Sequence, residues 1–200
     1  MAVVSRTLLK QLIKDGDIVV HPYCEDAIGN CSIDVRLGEW FFVQNKEGYI
    51  YPYNDELTKH PWYEKPRRAT MCGVESIKGP VIRIDPGEMI LATTEEFIGS
   101  RKQCTTMAKT KSTVSRLGLD CCASAGWGDI GYINRWAFPI HNRSNKTIFL
   151  HPGTWIAQII FLTVSSQEDC YTGTYQTTTD IDQLVKNWDP TSVLPKTLKM

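Results

Sequence analysis

Residues 32–43 read SIDVRLGEWFFV, and the first half alternates strictly, with Ile33, Val35 and Leu37 apolar and Ser32, Asp34 and Arg36 polar. A period of two puts one set of side chains on each face of an extended chain, so this stretch is a strand with one face in a core. Working outward, VIRI (81–84) is separated from MILATT (89–94) by Pro86-Gly87, and TIFL (147–150) from TWIAQIIFLTV (154–164) by Pro152-Gly153. Short apolar runs joined by Pro-Gly turns predict a mainly-β barrel or sandwich. Towards the N-terminus the period changes. Ser5 stands as an N-cap, Leu8, Leu9, Leu12 and Ile13 share one helical face, and Gly16 stops the run. Residues 44–80, rich in Tyr, Pro, Lys and Glu, predict a long excursion or an extra hairpin. The chain turns polar near residue 167, offers a short helix in DIDQLVKNW (180–188) and ends PTSVLPKTLKM. The expected organisation is one domain over 1–166 and a C-terminal arm over 167–200.

The composition narrows the function. Two hundred residues, 42% of them hydrophobic, suffice for one sizeable core. Lys plus Arg equals Asp plus Glu at 22 each, so no overall positive field exists to hold nucleic acid, and an anionic ligand needs a local cluster. No apolar run reaches the roughly 18 residues that span a bilayer, so no membrane is expected as a partner. The N-terminal stretch carries charges where a signal peptide would be apolar. Seven cysteines without a C-x-x-C pair predict reduced thiols in a cytoplasmic setting. Cys121 and Cys122 are expected on opposite faces of a strand.

Candidate chemistry concentrates in residues 108–142, AKTKSTVSRLGLDCCASAGWGDIGYINRWAFPIHN. Lys111, Ser112, Thr113 and Arg116 place two cations and two hydroxyls within six positions, a set able to bond several phosphate oxygens at once. The alternative is a solvated loop. Asp129 sits among Gly126, Gly128 and Gly131 and between Trp127 and Tyr132: glycines admit a ligand to the backbone, a ring supports a sugar or base, and a carboxylate can deprotonate water. Its alternative is a turn in which the aspartate bonds only backbone.

In order along the chain, SIDVRLG (32–38), PGEMILATTEEF (86–97), KSTVSRLGL (111–119), GWGDIGY (126–132), HPGTWIAQIIF (151–161) and YTGTYQ (171–176) resemble the motifs of the dCTP deaminase and dUTPase superfamily. The opening helix followed by DIVVHPY (17–23) is also similar to the start of the deaminases. The resemblance implies a β-clip, or distorted β-barrel, with a short N-terminal helix and a C-terminal arm. It implies a homotrimer with active sites at subunit interfaces, and a deoxypyrimidine triphosphate bound with Mg²⁺ on its phosphates. Matched residue by residue, Ser112, Arg116 and Gln158 contact phosphates, and Lys111 replaces the usual arginine, exchanging a bidentate grip for a point charge. Tyr132 lies under the deoxyribose, Tyr175 and Gln176 belong to the lid, and Asp129 activates the attacking water.

Two departures shape the expected activity. The deaminases carry a glutamate three residues before an asparagine, where this chain reads FPIHN (138–142), so Pro139 stands in its place. Proline cannot titrate, and losing a general acid or base costs about a hundred- to ten-thousandfold in rate. His141, on the same strand face, is expected to pack rather than replace it. Nor does the chain contain the H-x-E and P-C-x-x-C ligands of zinc deaminases. In the arm, Thr174 stands where the deaminases have a lysine. The expectation is therefore a dUTP diphosphatase, dUTP plus water giving dUMP and diphosphate, with dCTP or a modified pyrimidine as a variant substrate. The rivals are a zinc-independent dCTP deaminase with a substitute proton carrier and a non-catalytic nucleotide-binding homologue. A nucleotide-pool enzyme with a diverged site suits a phage.

Overall fold

A computed structural model of the chain describes residues 2–54, 62–166, 169–176 and 178–198. The expected boundary at 166/167 and the centre of the 44–80 excursion lie outside these residues. Among the described residues the order begins with α1 (Arg6–Lys14), β1 (Ile18–His21), β2 (Ile33–Val43), β3 (Arg67–Arg68), β4 (Ile82–Ile84) and β5 (Met89–Ser100). It continues with β6 (Cys104–Thr110), α2 (Ser112–Arg116), β7 (Leu119–Asp120), β8 (Trp127–Gly128) and β9 (Ile133–Asn142). It ends with β10 (Ile148–Leu150), β11 (Trp155–Thr163) and α3 (Ile181–Asn187). The architecture is mainly β, a curled antiparallel sheet ordered β7-β9-β5-β2-β11-β6-β8, with β1 added to β5 and β3 to β2.

The alternation in β2 holds as expected: Ile33, Val35 and Leu37 are buried in the main core, while Asp34 and Arg36 turn to the other face. In β9 the buried Trp136, Phe138 and Ile140 alternate with the half-buried Arg135, Ala137, Pro139 and His141. Phe138 has no exposed surface and its ring centre lies 6.2 Å from that of Trp136. Phe138→Ala is expected to cost about 3–5 kcal/mol, read from the urea midpoint, because the surrounding strands cannot collapse into the void.

Both Pro-Gly turns are present, with Gly87 at φ 75° and Gly153 at φ 84°, a conformation open to glycine at no steric cost. They do not join the strands on either side into hairpins. VIRI pairs instead with TIFL, Ile82 opposite Leu150 and Ile84 opposite Ile148, as a small sheet beside the large one. Both turns therefore lead from this small sheet into the large one.

Three local expectations are corrected. Ser5 occupies the N-cap position of α1 but its side chain makes no capping bond. Leu9 is fully buried whereas Leu8 is 42% exposed: successive helical residues are about 100° apart, and a nine-residue helix lying on a sheet aims one line of side chains inward. Cys121 and Cys122 follow the end of β7 and lie in a bend where both are buried, so the strand expected there stops two residues earlier. Burial pushes their thiols up to about 12 and about 11, and all seven cysteines are unpaired. No helix among the described residues is long and apolar enough to cross a membrane.

The C-terminal segment folds back on the sheet. The expected helix is present as α3, whose N-cap Asp180 accepts bonds from the backbone N–H groups of Asp182 and Gln183. Leu184 packs on Phe97 and Ile133, and Trp188 covers the Arg135 guanidinium at 4.4 Å. Val193 then packs against Phe42 and Leu91.

Candidate functional site

Asp129 is placed by the strand before it and the turn after it. Gly128 in β8 stands opposite Thr106 of β6, and its carbonyl accepts from the hydroxyls of Thr105 (2.7 Å) and Thr106 (3.1 Å). A Cβ on Gly128 would lie 2.4 Å from the Thr106 hydroxyl and 2.7 Å from the Trp136 ring, so only glycine fits. From there Asp129 opens a tight turn, its carbonyl accepting from Tyr132 N–H at 3.1 Å, with Gly131 at φ 84° in the third position. The Asp129 side chain is exposed at the mouth of a cleft of about 340 Å³.

That cleft is also lined by Trp127, Tyr132, Asn134, Tyr171 and Tyr175, with Leu91 and Ala137 as its apolar floor and Val193 and Pro195 reaching it from the tail. Asp129 is the one carboxylate among its lining residues. Tyr132 meets Trp136 edge-on at 5.7 Å and Tyr171 edge-on at 5.3 Å, and burial holds its phenol far above the usual tyrosine range. A sugar seated on Tyr132 would therefore share that ring with Tyr171. Pro139, opposite Leu91, lies on the same face of β9 as Ala137 but does not line the cleft. Strand β7 reaches only His141 and Asn142, so the missing N–H of Pro139 costs no bond on that side.

The expected phosphate group lies elsewhere in the chain. Lys111 precedes α2, its N–H bonded to Ile156 O at 3.0 Å; Ser112, Thr113 and Arg116 follow within the helix and are exposed. Gln158, half-buried on β11, stands directly opposite Asp34 on β2. The Lys111 ammonium is paired with the Asp34 carboxylate and lies 5.6 Å from the centre of the Trp155 ring. The structure thus brings Lys111 to the face carrying Gln158, and Asp129, Tyr132 and Tyr175 into one cleft. None of Lys111, Ser112, Thr113, Arg116 or Gln158 lines that cleft.

Gln176 faces the barrel rather than the cleft. Its Oε1 accepts from Ile133 N–H at 2.5 Å and its Nε2 donates to Gly131 O at 2.6 Å. Beside it Asn134 Nδ2 donates to Tyr175 O at 2.8 Å, and Tyr171 N–H to Ile130 O at 2.7 Å. Sequence reasoning missed Asp34, Asn134 and Tyr171. Asp34 carried a signal as a polar member of the β2 alternation; the other two acquire their meaning only through contacts across about forty residues of chain. Among the described residues no three His, Cys, Asp or Glu side chains converge as a metal cage.

Comparison with known proteins corrects the expected activity. A family model described as dCTP deaminase-like matches residues 3–164. The protein named dCTP deaminase, dUMP-forming, from Nanoarchaeum equitans is 32% identical over 169 residues, covering 82% of this chain and 85% of that one. Its namesake from Methanopyrus kandleri is 32% identical over 171 residues, covering 83% and 84%. The crystal structure of 2'-deoxycytidine 5'-triphosphate deaminase from Agrobacterium tumefaciens shares the fold with a TM-score of 0.57 at 16% identity. That match covers 79% of this chain and 47% of the other, so the present chain spans about half its length. The Nanoarchaeum and Methanopyrus relatives are named for deamination of dCTP with dUMP as product, which overturns the expectation of a simple dUTP diphosphatase. That expectation set one strand position, Pro139, above a similarity spread over four-fifths of the chain. With its model matched over nearly the whole barrel, this chain belongs to the dCTP deaminase-like family.

Proposed function

We propose that the chain converts dCTP to dUMP, by deamination at the pyrimidine ring and cleavage of diphosphate. The balance is dCTP plus two waters giving dUMP, ammonia and diphosphate. The observation that carries this reading is Asp129, the lone carboxylate of an aromatic-lined cleft in a chain whose relatives bear that name.

In this reading Asp129 takes the proton from the attacking water, as an exposed carboxylate at a cleft mouth is able to do. With Pro139 where the deaminases have glutamate, no titratable group stands at that strand position, and Asp129, the one carboxylate lining the cleft, is the candidate to carry protons to the departing amine as well. Tyr132 and Tyr175 bound the sugar and base. Lys111, Ser112, Thr113, Arg116 and Gln158 hold the phosphates, and Lys111 leaves Asp34 to do so. Mg²⁺ arrives on the substrate, held by phosphate oxygens whose charge it neutralises. What supports a homotrimer with interface sites is that none of these phosphate-holding residues lines the Asp129 cleft of its own chain, so a neighbouring copy would bring the two halves of the site together. Seven unpaired cysteines fit a reducing cytoplasm.

Pro139 favours a second reading, a homologue that binds the nucleotide without deaminating it. Incubating the protein with dCTP and Mg²⁺ and separating the products decides between them. Ammonia, dUMP and diphosphate in equal amounts are expected. Formation of dCMP without ammonia would remove the deaminase step, and tight binding without turnover would establish the second reading.

A further inference from the structure

The turn that carries Asp129 has little restraint of its own. Residues 129–132 belong to no strand, and Gly131 at its centre has the backbone freedom of glycine at φ 84°. The barrel packs Tyr132 against Trp136 but gives the turn one backbone hydrogen bond, Gly131 N–H to Ser100 O at 2.7 Å, before the β9 ladder begins with Ile133 opposite Gly99. The remaining lateral bonds come from the arm.

Gln176 makes two of them with one rigid group. A primary amide presents an acceptor and a donor side by side, and here they meet Ile133 N–H and Gly131 C=O, on either side of Tyr132. Tyr171 N–H adds a bond to Ile130 O, and a Cβ on Gly131 would lie 2.6 Å from Cys170 Cβ, so the arm sits directly on the turn. Along the arm the two neighbours divide: Tyr175 is exposed and lines the cleft, whereas Gln176 is half-buried with both polar atoms engaged.

We infer that Gln176 is a positioning residue, whose carboxamide clamps the turn of Asp129 and couples arm closure to the placement of the reactive carboxylate. The inference rests on the reading of Asp129 above. When the arm lifts, the clamp opens and Asp129 loses its alignment; when the arm closes, the carboxylate is set. A displacement near 1 Å in a reacting group costs up to about a hundredfold in rate.

The test compares the wild-type chain with Gln176→Ala, which removes both bonds, and Gln176→Glu, which keeps the acceptor for Ile133 and turns a carboxylate oxygen on the Gly131 carbonyl. With dCTP and Mg²⁺, kcat is expected to fall about 10- to 100-fold in Gln176→Ala while KM changes by less than about threefold. Gln176→Glu is expected to show the same split. Without nucleotide, hydrogen exchange at the Ile133 amide is expected to rise about tenfold in Gln176→Ala, the effect of losing one hydrogen bond of about 1.4 kcal/mol. A rise in KM with kcat intact would make Gln176 a nucleotide contact and overturn the inference. Exchange at Ile133 equal to wild type would overturn it whatever the kinetics. If the wild-type chain leaves dCTP unchanged, the proposed function fails, and the exchange measurement still decides whether the clamp exists.

Discussion

Replacing Asp129 with asparagine is expected to lower the rate of dUMP formation from dCTP by about a hundred- to ten-thousandfold, the usual cost of removing a general base. Asparagine keeps the shape of the side chain and loses the charge. The turn should survive, because the bonds that hold it, Asp129 O with Tyr132 N–H, Gly131 N–H with Ser100 O and the two from Gln176, do not use the Asp129 carboxylate. Affinity for dCTP, measured by titration calorimetry, is therefore expected to stay within about fivefold, since the neutral variant loses no phosphate contact. Single-turnover kinetics separate the two quantities. A variant that turns over at the wild-type rate would make Asp129 a turn residue and leave the cleft without a carboxylate to act as base.

The second large effect is expected far from the cleft, at Arg36. Glu96 lies in the bulge of β5, where register passes from Thr93 opposite Ala137 to Phe97 opposite Arg135, and its side chain is 3% exposed. Both of its oxygens are held by one residue: Oε1 accepts from Arg36 Nε at 2.6 Å and Oε2 from Arg36 N–H at 2.8 Å. A second nitrogen of the same guanidinium lies 3.3 Å from Glu95. Arg36→Met removes the cation and leaves a buried carboxylate unpaired, at a cost of about 3–5 kcal/mol.

The pH dependence of that loss has a defined sign. Burial already raises the Glu96 carboxyl above its ordinary value, against the lowering by Arg36. Without Arg36 the rise is larger. A folded state with the higher affinity for the proton is favoured at low pH and loses that advantage as pH rises through the folded pKa. The difference between variant and wild type is therefore largest near neutral pH and shrinks in mildly acidic buffer, where Glu96 protonates. Urea unfolding of both proteins at the two conditions measures it. An equal deficit at both, or one below about 1 kcal/mol as for an exposed pair, would show that Glu96 is not held as an ion.

Several features of the site were legible in the residues because they depend on neighbours in the chain. The Asp129 turn needs Gly128 and Gly131, and both glycines are there to be read. The grouping of Lys111, Ser112, Thr113 and Arg116 likewise survives as one short helix and its preceding residue. Pro139 was legible too, but its weight was not. A proline in a strand reads as a lost catalytic group, while its tolerance there depends on how far β7 extends alongside β9. Gln176 reads as a lid residue from its motif; its engagement by Gly131 and Ile133 appears only once the arm is folded back across some forty residues.

By itself the sequence determined the local structure: the alternation of Ile33, Val35 and Leu37, the left-handed glycines after Pro86 and Pro152, and the helix capped by Asp180. Each follows from steric and hydrogen-bonding preferences acting within a few residues. Tertiary structure alone decided that β4 pairs with β10, that Arg36 meets Glu96, that Lys111 meets Asp34, and that the arm closes on the turn of Asp129. Those contacts join segments separated by tens of residues. Which of many chemically suitable partners meets which is set by how the whole sheet curls to bury one face, and no local window of sequence contains that choice.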